Sequence, residues 1–185
     1  MSYQNILTYL IAILPILLIT YIFVLPNDVI NPISYLINIS GHISIIFLFL
    51  TLFTSRIEIL KKNLNRKLIG LTSFSYLLVH VILYFFDNNF NYSYVKDDLL
   101  SLKYIQVGYI AMILYLPLVI SSNNFVKLLL GSLWKSIHKT IYIIMGLSLI
   151  HYFLVIKADY LIIYFYLFLT LFVLLKSSKI QKHGP

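Results

Sequence analysis

Apolar residues gather into six stretches along the chain, at about 6–25, 40–55, 67–86, 104–122, 138–156 and 158–175, with short polar segments between them. A hydrocarbon core of ~30 Å takes about 20 helical residues to cross, so each stretch has the length of a membrane span. Helices are the default, because lipid offers no partner to an unsatisfied backbone group. The pattern therefore predicts an all-α, polytopic membrane protein, a six-transmembrane-helix bundle forming a single domain over 1–185. The last two stretches meet at a very short turn near 157–159, which predicts an antiparallel hairpin. Pro15 and Pro117 fall inside stretches and are expected to kink them, as membrane helices tolerate.

The polar segments orient the spans. With the N-terminus inside and the loops alternating, the inner regions hold Arg56, Lys61, Lys62, Arg66, Lys67, Lys127, Lys135, Lys139, Lys176, Lys179 and Lys182 against one acid, Glu58. The outer loops hold Lys96, Lys103 and Lys157 against Asp28, Asp87, Asp97, Asp98 and Asp159. This distribution puts +10 inside and −2 outside, which together make the formal +8 of the chain. It predicts an N-in/C-in topology by the positive-inside rule. The outer loops 26–40 and 87–103 then form a candidate docking surface, or an interfacial loop with an aromatic belt.

Composition narrows the class further. Hydrophobic residues are 61% of the 185 and charged residues 11%, against about 45–50% and about 25% in soluble domains. The pI near 9.5 follows from topology, so nucleic acid is set aside as a partner. Cysteine is absent, which excludes disulfides and thiolate metal sites. The N-terminus shows neither a charged n-region nor a small-residue cleavage site, so the first stretch is expected to stay in the membrane. There is no HExxH, no P-loop, no GxGxxG and no repeat at a fixed period. No acid falls inside a span, so a proton-coupled transporter would lack its usual relay.

Histidines are the chemistry that remains: His42, His80, His138, His151 and His183. His183 lies in the terminal tail and His42 opens the second stretch from the outer side. An ionisable residue at membrane depth is a functional candidate by default. His80 follows Lys67 by thirteen residues, and His151 follows His138 by thirteen. At 1.5 Å per residue both lie roughly 20 Å from the inner face, on separate helices. That level pairing suits a bis-histidine haem, with one axial imidazole from each helix. Membrane histidines are also often packing residues, and that alternative stands beside the haem reading. His138, at the inner level, is a candidate for a second haem. Thirteen residues turn an ideal helix through about 1300°, so His138 and His151 do not share a face. A bend near Gly146 is one way to bring them closer.

The residues also resemble a known family. "NRKLIGLTSFSYLLVHVILYF" is similar to its basic–Leu/Ile–Gly segment followed by a helix with a haem histidine. "LWKSIHKTIYIIMGLSLIHYFLVIK" is similar to its Trp–x–x–x–His segment with His–Tyr thirteen residues on. "SGHISIIFLFLTLFTSRI" and "YIQVGYIAMILYLPLVISS" resemble its glycine-opened helices. The ordered set, over about 38–176, identifies the chain as resembling the MsrQ/YedZ family of ferric-reductase-like transmembrane proteins. That family is the haem-binding membrane subunit of the periplasmic protein-methionine-sulfoxide reductase system.

The resemblance implies a bacterial inner-membrane, multi-pass electron carrier with haem b, one or two per chain, and FMN. It implies haem iron held by His80, His138 and His151; no family role carries over to His42. It makes Arg66 and Lys67 candidates for a haem propionate or an FMN phosphate, with topogenic surface charge as the alternative. Implied partners are a periplasmic molybdenum-containing methionine-sulfoxide reductase subunit and, as donor, the quinol pool or a flavin reductase. The chain is then an electron-transfer subunit rather than a stand-alone enzyme. Two alternatives remain: a haem-containing ferric or oxygen reductase, and a haem-free transporter or assembly factor.

Overall fold

The computed structural model describes residues 2–24, 31–156 and 160–182. Asp28, the turn at 157–159 and His183 lie outside the described residues. Among the described residues all regular structure is helical, in ten segments: α1 Tyr3–Val24, α2 Pro32–Thr54, α3 Glu58–Asn63, α4 Arg66–Asp87, α5 Tyr92–Ser101, α6 Lys103–Ile120, α7 Asn124–Leu130, α8 Leu133–Lys139, α9 Ile141–Val155 and α10 Leu161–Lys182. Four helical stretches are long and apolar enough to cross a bilayer: Pro32–Thr54, Arg66–Asp87, Lys103–Ile120 and Leu133–Val155. Shorter apolar stretches occupy Tyr3–Leu17 and Leu161–Leu175, in the first and sixth predicted spans.

The chain divides into two compact units, Met1–Asp97 and Asp98–Pro185. In the first unit α2 and α4 make the principal packing, and α1 lies against them. The helix α2 begins eight residues before the predicted span. Asn31 caps it by accepting from the Ser34 N–H, and Pro32 supplies a pre-set φ in the first turn. Asn65 caps α4 in the same way, accepting from the N–H groups of Lys67 and Leu68 at 3.0 and 3.3 Å. Its amide donates to the Asn5 side chain at 2.8 Å, and its backbone N–H donates to the Thr8 hydroxyl at 2.9 Å. These bonds tie the start of α1 to the turn before α4.

The α2–α4 seam runs antiparallel and is lined with small residues, which lets the backbones approach. Gly41 faces His80, and Gly70 faces Thr51. Between them the Ser44 hydroxyl donates to the Ser73 carbonyl at 3.0 Å, and the Ser73 hydroxyl donates to the Ser44 carbonyl at 2.8 Å. Lower in the seam the Tyr76 ring stacks on Phe47 at 5.6 Å, and its hydroxyl reaches the Ala12 carbonyl of α1 at 2.8 Å.

In the second unit α6 and α9 form the matching pair, also antiparallel: Gly108 of α6 meets His151 of α9 at one end, and beyond the other end Ser121, capping α6, meets His138 of α8. The predicted fifth span is interrupted. At Thr140 α8 ends and α9 begins; its hydroxyl turns back onto the Ile137 carbonyl at 2.7 Å. The helix does not unwind at Gly146, since α9 runs unbroken from Ile141 to Val155. A glycine within an otherwise apolar helix does not itself open the backbone ladder. Gly131, between α7 and α8, adopts φ +50° and ψ −119°, a conformation open chiefly to glycine. After α9, Tyr166 of α10 meets Tyr152 edge-on at 5.8 Å. The stretch after Leu175, expected as a tail, continues α10 to Lys182. Pro15 and Pro117 both lie inside continuous helices.

Candidate functional site

Two histidines are held in the same way, one in each unit. On α4 the His80 Nδ1 lies 2.8 Å from the Ile37 carbonyl of α2. On α9 the His151 Nδ1 lies 2.7 Å from the Tyr104 carbonyl of α6. A carbonyl oxygen can only accept, so Nδ1 is the protonated nitrogen in both rings. The Nε2 atom then carries the lone pair, which is the form in which a neutral imidazole binds metal. An Nδ1–H held by a carbonyl is the usual outer support of such a ligand: it fixes the tautomer and the ring plane.

The partner helix is shaped to receive each ring. Gly41 follows Ile37 by four residues, and Gly108 follows Tyr104 by four. In a helix the carbonyl of residue i points at residue i+4. An imidazole from a neighbouring helix must therefore cross residue i+4 to reach that carbonyl. A Cβ on Gly41 would lie 3.1 Å from His80 Nδ1, and one on Gly108 would lie 2.9 Å from His151 Nδ1. Glycine leaves that approach open, closely at Gly41 and more stringently at Gly108.

His138 is held differently. Its Nε2 lies 3.0 Å from the Ser121 hydroxyl at the end of α6. The Trp134 ring, one turn earlier on α8, lies 4.2 Å from the imidazole, and its Nε1–H donates to the Ser121 carbonyl at 3.0 Å. Lys127 Nζ sits 4.6 Å from the centre of the Trp134 ring. Ser121 thus anchors both α8 side chains. The sequence offered no partner for His138; the structure supplies Ser121, a serine among many. Arg66 and Lys67 stand exposed in the first turn of α4, and His42 is half-buried on α2 beside Gly41. Among the described residues no three His, Cys, Asp or Glu side chains gather as a metal cluster.

The structure brings Gly41 and Ile37 to His80, and Gly108 and Tyr104 to His151. Sequence reasoning had not assigned those four a role. The glycines had a signal, since each sits inside an apolar helix, where glycine has no propensity reason to be. The carbonyls had none, because every residue carries one.

Four apolar helical stretches, two of which carry a histidine with its Nδ1–H on a neighbouring helix's carbonyl, point to a multi-pass membrane protein. The chain belongs to the ferric reductase like transmembrane component family, whose model matches residues 40–149, a span that includes His80 and His138 and ends two residues before His151. It is 31% identical over 128 residues to the protein-methionine-sulfoxide reductase heme-binding subunit MsrQ of Herminiimonas arsenicoxydans, covering 66% of this chain and 59% of that one. The subunit of the same name from Brucella ovis is 31% identical over 132 residues, covering 69% and 60%. That from Brucella anthropi is 29% identical over 156 residues, covering 82% and 71%. The chain thus spans about 60% of the length of the first two. No solved structure matches it.

Proposed function

We propose that the chain is a membrane haem b electron-transfer subunit, passing electrons to a methionine-sulfoxide reductase that repairs oxidised proteins. The observation that supports this best is the pair of Nδ1–carbonyl bonds at His80 and His151. Both rings are prepared as axial ligands, and a packing histidine has no need of that shared arrangement. The relatives are named as heme-binding subunits of such a reductase. Haem, when bound, supplies one-electron iron chemistry that no side chain of this chain can supply. The protein holds the imidazoles, fixes their tautomer and surrounds them with apolar helix.

In this reading the chain crosses a bacterial inner membrane six times, N-in and C-in, with α1 and α10 as the outer spans. Electrons come from the inner side, from the quinol pool or a flavin reductase. They leave to a periplasmic molybdenum-containing reductase subunit. His138 serves a second haem, which requires its imidazole to exchange the Ser121 hydroxyl for iron. Arg66 and Lys67 neutralise an anionic group at the inner face, a haem propionate or an FMN phosphate.

The family description favours a second reading, a haem ferric reductase. One pair of measurements separates the two. Purified protein should give a Soret band and a reduced-minus-oxidised difference spectrum. The gene should also restore methionine-sulfoxide repair to a strain lacking its own membrane subunit. A haem spectrum with ferric reduction but no repair would select the second reading. No Soret band after haem supplementation would reject both.

A further inference from the structure

Two helix pairs with little sequence in common repeat one arrangement. A helical carbonyl receives a histidine Nδ1 across a glycine one turn on: Ile37, Gly41 and His80 in the first, Tyr104, Gly108 and His151 in the second. The partners stand 43 and 47 residues apart along the chain, so no fixed period announces the repetition. We propose that Gly41 and Gly108 are positioning residues for the metal ligands. Each keeps open the path by which an imidazole reaches the carbonyl that sets its tautomer and ring plane.

The alternative is that these glycines are merely tolerated in their helices. The two accounts differ in sign. Alanine is the better helix former, so replacing a merely tolerated glycine stabilises the fold. At Gly41 and Gly108 the new methyl meets the imidazole before anything else, at 3.1 and 2.9 Å. At Gly108 the ring must shift, and at Gly41 it must give by a few tenths of an ångström, so the Nδ1 bond that sets the tautomer is strained. The remaining helical glycines are internal controls. A Cβ on Gly70 meets Thr51 at an ordinary 3.6 Å, and one on Gly146 meets nothing within 4 Å.

The spectral arm of the test rests on the haem reading above; the tautomer arm does not. Gly41→Ala, Gly70→Ala, Gly108→Ala and Gly146→Ala are made in the full chain and purified in detergent. Helicity and size-exclusion profile establish folding. Loss of an outer-shell partner typically weakens metal binding 10–100-fold. Gly108→Ala should therefore lower haem affinity by about that factor and convert low-spin to high-spin haem, Gly41→Ala by less, and the two controls not at all. Nitrogen-15 histidine NMR of the dithionite-reduced protein should show Nδ1–H for His80 and His151 in the parent. The affected ring alone should lose it in each glycine variant. Should Gly108→Ala fail to fold, Gly41→Ala carries the same test with the milder contact. Unchanged spin state and unchanged tautomer in both variants would overturn the proposal. So would equal losses in the Gly146→Ala control. If the parent protein binds no haem, the haem reading fails by itself. The NMR arm then decides the positioning role on the protein as purified.

Discussion

The reciprocal serine pair gives the sharpest energetic prediction. Ser44 and Ser73 each donate to the other's backbone carbonyl, at 3.0 and 2.8 Å, and not to the other's hydroxyl. Removing one hydroxyl therefore leaves the second bond intact. Each receiving carbonyl keeps its place in its own helical ladder, so neither Ser→Ala change strands a buried acceptor. Serine and alanine differ little in size, so no cavity opens. What is lost is one interhelical bond, which in membrane proteins averages about 0.6 kcal/mol with a ceiling near 1.7. Ser44→Ala and Ser73→Ala should each cost about 0.6 kcal/mol, and the double variant about 1.2, with a coupling term below about 0.5. The assay is reversible unfolding in mixed micelles, followed by helicity, across the four proteins of the cycle. The haem spectrum should stay as in the parent, because the pair lies two turns from His80. A coupling above about 1.5 kcal/mol would refute the reasoning, since it would require the hydroxyls to bond to each other.

Other outcomes follow from the same kind of accounting. Tyr76→Phe removes the bond to the Ala12 carbonyl and keeps the stack on Phe47. It should cost about 0.6–1.7 kcal/mol in the same unfolding assay. Asn65→Ala removes the α4 cap together with the bond to Asn5, and should cost about 1–2 kcal/mol in that assay. Ser121→Ala removes the hydroxyl at His138 Nε2 but not the carbonyl that receives the Trp134 indole. Its NMR spectrum should show the His138 ring resonances moved and the indole N–H resonance of the single tryptophan in place.

Hydropathy alone placed α4 and α6 closely, because both helices are bounded where their apolar runs are bounded. It missed the first turns of α2, since Pro32, Ser34 and Asn38 dilute the run there. The true signal was the Asn31–Pro32 cap. It started the fifth span two residues inside α8, across Thr140, because a single threonine turning back on Ile137 leaves no trace in an apolar average. The short helices α3, α5 and α7 escaped for the opposite reason: they lie in segments read as loops. Within the site, His80 and His151 stood out as polar groups in apolar runs. Their supporting carbonyls could not, because a backbone acceptor becomes specific only when a neighbouring helix brings a donor to it.

The most direct test of the account is haem content and spin state in the parent and in His80→Ala, His151→Ala and His138→Ala, measured together by pyridine haemochrome assay and electron paramagnetic resonance. Loss of low-spin haem signal in His80→Ala and in His151→Ala, with that signal retained in His138→Ala, is the predicted result. Full haem content with an undiminished low-spin signal in either of the first two variants would contradict it.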